Sequence, residues 1–210
     1  MEFLADPQAI EARSMAAIEE LLRPWKSSFT PEEFLAAQRV VHTTGDVTCI
    51  QDLVFRHAPL DAGINALRRG VTVICDVKMV AAGIRARLPE GIAVRVAVEE
   101  PGVAEDAARQ KVTRALAGMR RLREALPGSI VAVGNAPTAL FGVLELCAAG
   151  VRPALVIGTP VGFVGAVEAK EALLAADLPA VVLRGTRGGS AVAAAVVNVL
   201  AVLARRKNLS

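Results

Sequence analysis

Two histidines stand in the chain, and they keep different company. His42 is followed by Thr43, Thr44, Gly45 and Asp46, which surround it with polar groups where an amphipathic run ends. A cationic side chain is favoured at the C-terminal end of a helix. An imidazole there is placed to act as a general acid or a charged hydrogen-bond donor. The residues alone leave a structural histidine as an equal reading. His57, in Arg56-His57-Ala58-Pro59 before a turn, reads as an ordinary structural histidine.

The second candidate is Arg184-Gly-Thr-Arg187-Gly188-Gly189-Ser190, between an apolar run and a long apolar helix. Glycines allow backbone N–H groups to face an anion at a helix start. Two arginines in the same segment favour anion binding slightly over a tight turn with a serine cap. Gly158–Gly165 lacks the Lys-Ser/Thr pair of a phosphate loop, and no G-x-G-x-x-G opens a helix, so nucleotide binding is not expected. Asn135 in Gly134-Asn-Ala-Pro-Thr138 reads first as a helix cap. Asp76 and Lys78 are open between a surface ion pair and a polar site. Distant histidines and unspaced Cys49, Cys75 and Cys147 make no ligand set, so no metal is expected.

These residues need elements to place them. Asp6-Pro7 starts a first helix ending near Pro24, and Thr30-Pro31-Glu32-Glu33 is a capping-box start for a second that carries His42. A helix at Pro59–Arg69 precedes the buried run Val71–Cys75; a weaker strand at Ile92–Val98 and one long helix from Val103 to Leu126 follow. Three strand–helix units then complete the chain, with strands at Ser129–Val133, Ala154–Ile157 and Ala180–Leu183. Continuous apolar strands interleaved with helices predict an α/β fold: three layers, a mostly parallel sheet with helices on both faces, and a helical N-terminal segment. A single domain over residues 1–210 is expected. Ligands of such sheets sit beyond the carboxyl ends of the strands. Asp76–Met79, Gly134–Thr138, Gly158–Phe163 and Arg184–Ser190 fall there.

Composition narrows the function classes. Hydrophobic residues make up 53% of the chain, yet Tyr is absent and Trp25 is the only Trp. That speaks against stacking of nucleic-acid bases. The net charge of +3 is scattered, so nucleic acid is not an expected partner. Ser190–Leu203 is too short to span a bilayer, which takes about 20 residues. The acidic N-terminus does not read as a signal peptide, and with three unpatterned cysteines a cytoplasmic location is expected.

Taken in order, Val41-His42-Thr43-Thr44-Gly45, Gly134-Asn-Ala-Pro-Thr-Ala-Leu-Phe141, Gly158-Thr-Pro-Val-Gly-Phe-Val-Gly-Ala166 with Glu168 and Lys170, and Arg184–Ser190 resemble the precorrin-8X methylmutase family of cobalamin biosynthesis. The resemblance runs from Ile10-Glu11-Ala12-Arg13-Ser14 almost to the end. It implies an isomerase that moves a methyl group from C11 to C12 on ring C of a tetrapyrrole polycarboxylate, giving hydrogenobyrinate, or the cobalt-bearing equivalent. It implies no organic cofactor, and a homodimer with active sites shared between subunits. It places His42 beside ring C as the catalytic donor. Arg13, Ser14, Thr44, Arg114, Asn135, Phe163, Arg187, Gly188, Gly189 and Ser190 are the implied substrate contacts, with Arg114 a clamp on a peripheral carboxylate. Val161, Phe163 and Leu140 are candidate apolar walls, each also readable as core. The same pocket would serve a non-catalytic tetrapyrrole carrier. A third reading is an unrelated anion-binding α/β protein, such as a sugar-phosphate enzyme.

Overall fold

The computed structural model describes residues 3–206. The Asp6 carboxylate accepts from the backbone N–H of Gln8 at 3.2 Å and Ala9 at 3.3 Å, and so begins α1, Pro7–Leu22. Thr30 and Glu33 form the reciprocal capping box that opens α2, Pro31–Thr44. Thr30 Oγ1 accepts from Glu33 N at 3.2 Å, and Glu33 returns the bond to Thr30 N at 3.0 Å. Gly45, in the left-handed conformation, closes α2 three residues past His42.

The rest alternates strand and helix: β1 Leu53–Arg56, α3 Pro59–Arg68, β2 Val73–Cys75, α4 Lys78–Ile84, β3 Val94–Val96, α5 Val103–Gln110, α6 Arg114–Arg121, β4 Ile130–Val133, α7 Pro137–Ala148, β5 Leu155–Gly158, α8 Ala166–Ala175, β6 Ala180–Leu183 and α9 Ser190–Arg205. The six strands form one sheet in the order β1-β6-β5-β4-β2-β3. All neighbours are parallel except β1, which runs antiparallel to β6 with Leu53 opposite Leu183.

Alternation along each strand builds the layers. Cys75, Ala132, Ile157 and Val181 face one side, packed with residues of α1, α2, α3, α4 and α9. Ile74, Val131, Val156 and Val182 face the other, packed with α6, α7 and α8. The expected three-layer α/β fold with a helical N-terminal segment is what forms. No helix among the described residues is long and apolar enough to cross a membrane.

Three expectations are corrected. The single helix from 103 to 126 is two, because Lys111 takes a left-handed conformation and Thr113 then caps α6 by accepting from Leu116 N at 3.2 Å. The segment after Asp76, expected as a loop, is mostly α4, which lies against α9. The edge strand β1 was not expected: it is four residues long and half-buried, and it lacks the apolar continuity of the inner strands.

The capping box yields a direct test. Thr30→Ala should cost about 1 kcal/mol, lowering the melting temperature by about 2–4 °C for a chain of this size. Differential scanning calorimetry measures it, and an unchanged transition would show that packing alone holds the start of α2.

Candidate functional site

Leu35, Arg39 and His42 lie at i, i+4 and i+7 on α2, so they share one face. Ala195, Asn198, Val199 and Val202 form the matching stripe of α9, and Pro7, Ile10 and Glu11 that of α1. Between the three helices runs a cleft of about 530 Å³ that these residues line together with Thr43, Arg87 and Arg206. Its walls are apolar and its rim is charged. His42 is exposed into it.

At the rim, Arg39 Nη1 donates to Glu11 Oε1 at 2.6 Å, tying α2 to α1. That bond holds the Glu11 carboxyl below its ordinary value, and the charges of Arg87 and His42 act in the same direction. The sum of Arg39, Arg87, Arg206 and Glu11 is cationic. A polycarboxylate with an apolar body meets a complementary surface here.

The end of α2 is fixed by a polar knot. The Thr44 hydroxyl donates to Val40 O at 3.0 Å and accepts from Asp46 N at 3.2 Å, so it serves the helix end. Asp46 accepts from Thr48 N at 2.9 Å and Thr48 Oγ1 at 2.7 Å, and pairs with Arg187. Those hydrogen bonds and the arginine keep its carboxyl below the usual range. Arg187 also donates to Asp52 Oδ2 at 2.5 Å and Thr48 Oγ1 at 2.8 Å. It therefore links the β6–α9 loop to the segment that follows His42.

The loops beyond the strand ends close on one another. Asp76, fully buried, accepts from Gly134 N at 3.2 Å, Asn135 N at 2.7 Å and Ala136 N at 2.8 Å. Burial pushes its carboxyl up, opposed by these amides. Lys170 is also fully buried and donates from Nζ to Gly185 O at 2.9 Å and Arg187 O at 2.6 Å. Burial lowers the ammonium from 10.5 to about 8. Gly189 N donates to Thr159 O at 2.8 Å. A side chain on Gly188, whose φ is +152°, would collide with that same carbonyl.

Within the chain the two arginines of Arg184–Ser190 are committed to carboxylates. Arg187 is paired with Asp46 and Asp52, and Arg184 makes a two-pronged bond to Glu171 at 2.8 Å. Asp76 and Lys78 do not pair with each other: Lys78 reaches Glu99 at 2.7 Å, and Asp76 holds amides. Gly188 serves close packing against the Thr159 carbonyl, whereas a Cβ on Gly185 or Gly189 would meet nothing within 4 Å.

The candidate residues fall in separate places. His42 lines the helical cleft; Arg13 and Ser14 lie on α1 outside its lining. Arg114 lines a different recess with Lys78, Val98 and Glu99, and donates to Val98 O at 3.0 Å. Asn135, Gly188, Gly189 and Ser190 lie at the strand ends, where Ser190 is buried. Phe163 projects from the β5–α8 loop, 93% exposed, beside Val164 at 89%. Leu140 is core and Val161 is exposed. Sequence reasoning missed Glu11, Arg39, Arg87 and Asn198. The signals were present: Arg39 shares a helix face with His42, and Asn198 is the polar interruption of the apolar run Ser190–Leu203.

Comparison with known proteins agrees with the architecture. The family profile described as Precorrin-8X methylmutase matches residues 9–203. The chain is 43% identical over 206 residues to the Precorrin-8X methylmutase of Pseudomonas aeruginosa, covering 96% of this chain and 98% of that one. It is 39% identical over 201 residues to the Cobalt-precorrin-8 methylmutase of Priestia megaterium, covering 94% and 88%. The crystal structure of the precorrin-8x methyl mutase of Thermus thermophilus superposes with a TM-score of 0.84 at 37% identity, covering 93% of this chain and 97% of that chain.

The buried ammonium gives a pH signature. In the unfolded chain Lys170 binds its proton up to 10.5, and in the fold only up to about 8. Between those values the unfolded state holds more protons, so this group makes stability rise with pH; below about 8 its contribution is constant. Denaturant melts of wild type and Lys170→Met from pH 7 to 10.5 should diverge by up to roughly 3 kcal/mol across that window. Parallel curves would place the ammonium in water.

Proposed function

Since the chain belongs to the precorrin-8X methylmutase family, we propose that it isomerises precorrin-8X, or its cobalt-bearing form, by moving a methyl group from C11 to C12 on ring C. The product is hydrogenobyrinate or cobyrinate. The observation that carries this reading is His42 exposed in an apolar cleft whose rim is cationic. One C–C bond at C11 breaks and one at C12 forms within the same molecule. Substrate and product are isomers, and the shift needs neither a covalent enzyme intermediate nor an organic cofactor.

What the protein must supply is one tautomer, held in one orientation. The apolar walls take the flat ring and the guanidinium groups take its carboxylate arms. His42 donates a proton or hydrogen bond that fixes the migrating tautomer. The Arg187 knot keeps the end of α2, and so His42, in register with the β6–α9 loop.

We also infer a homodimer of the cytoplasm, each copy a single domain, with active sites shared between subunits. Two observations support sharing. His42 and Arg114 line separate recesses of one chain, and Phe163 and Val164 are apolar yet almost wholly exposed.

His42→Ala should lower kcat on precorrin-8X by a factor of about 10² to 10⁴ with an unchanged melting temperature, read by the appearance of the corrin chromophore. Full turnover in that variant would remove the assigned role. Replacing both Phe163 and Val164 by Asp should shift sedimentation from dimer to monomer, and a dimeric variant would exclude that loop as the interface.

A further inference from the structure

We propose that Arg87 is a binding residue of the His42 cleft, a guanidinium that anchors one peripheral carboxylate of the tetrapyrrole. The proposal rests on the methylmutase reading and extends it to a residue outside every motif that carries the family resemblance. Three observations lead there.

Arg87 lines the same cleft as His42 but comes from a different part of the chain, the turn after α4. Of the cleft's arginines, Arg39 is paired with Glu11 at 2.6 Å. Arg87 makes no ion pair or side-chain hydrogen bond among the described residues. An exposed guanidinium facing an apolar cleft, with its five donors uncommitted, suits a planar carboxylate in two-pronged fashion.

The turn that carries it is also held in place. Asn198 Nδ2 donates to Gly83 O at 3.0 Å, and Arg205 Nη2 donates to Leu88 O at 3.0 Å. Both donors are on α9, the helix that forms one wall of the cleft, and they hold the end of α4 before the turn and Leu88 after Arg87. Arg87 N itself donates to Ile84 O at 2.9 Å, and the Leu88 side chain is buried. Gly83 lets α4 lie close on α9: a Cβ there would stand 2.8 Å from that of Ala194. A guanidinium on a fixed turn loses less freedom on binding than one on a mobile loop. The arrangement positions a charge, whereas a solubilising surface arginine needs no such support.

The test is equilibrium binding of hydrogenobyrinate, followed by its visible absorption, to wild-type protein and to three variants. Arg87→Gln should weaken binding tenfold or more, raise KM by a similar factor and leave kcat at saturation within threefold. Arg87→Lys should recover part of the loss, since it keeps the charge without the fork. Arg123→Gln, an exposed arginine on the opposite layer, should bind within twofold of wild type and so controls for net charge. Wild-type affinity in Arg87→Gln, or equal losses in Arg87→Gln and Arg123→Gln, would overturn the proposal. If the wild-type chain binds neither hydrogenobyrinate nor cobyrinate, the methylmutase reading falls and takes this one with it.

Discussion

The inner strands β2, β4, β5 and β6 are buried along their whole lengths and are apolar on both sides. An unpaired polar group on either face would be costly to desolvate. Polar chemistry is therefore pushed to two places, the carboxyl edge of the sheet and the outer surface of the helical layers. At the edge the loops are sealed by Asp76, which gathers three amides, and by Lys170, which gathers two carbonyls. The open cleft lies on the outer surface, between α1, α2 and α9.

Arg187 joins the two regions. Its partners Asp46 and Asp52 flank the 3-10 turn between α2 and β1, while its own loop leads into α9. The end of α2 and the start of α9 are thus held by one side chain, and both helices line the cleft. Sealing the strand-end loops and setting His42 in register are parts of one arrangement.

Much of the fold was legible. The helix starts at Asp6 and Thr30 are local chemistry, complete within four residues, and the inner strands announce themselves by unbroken apolar runs. β1 was hidden because a short edge strand draws its stability from β6, more than a hundred residues away. The break at Lys111–Thr113 was hidden because a lysine carries no turn signal. Of the candidate site residues, His42 alone lines the cleft. His42 stood out by its polar neighbours, and the sequence pattern pointed its partners to the glycine loops, where close packing and ligand binding share one vocabulary. Arg39 and Asn198 reach the cleft through helix faces brought together only by tertiary packing. Arg87 does so through a turn pinned from α9.

The central claim is that the ring undergoing the shift lies in the helical cleft beside His42. A crystal structure of the protein with hydrogenobyrinate bound tests it most directly. The account predicts ring C within hydrogen-bonding reach of the His42 imidazole, with the macrocycle against Val199 and Val202. A macrocycle seated at the strand-end loops, with His42 away from ring C, would contradict it.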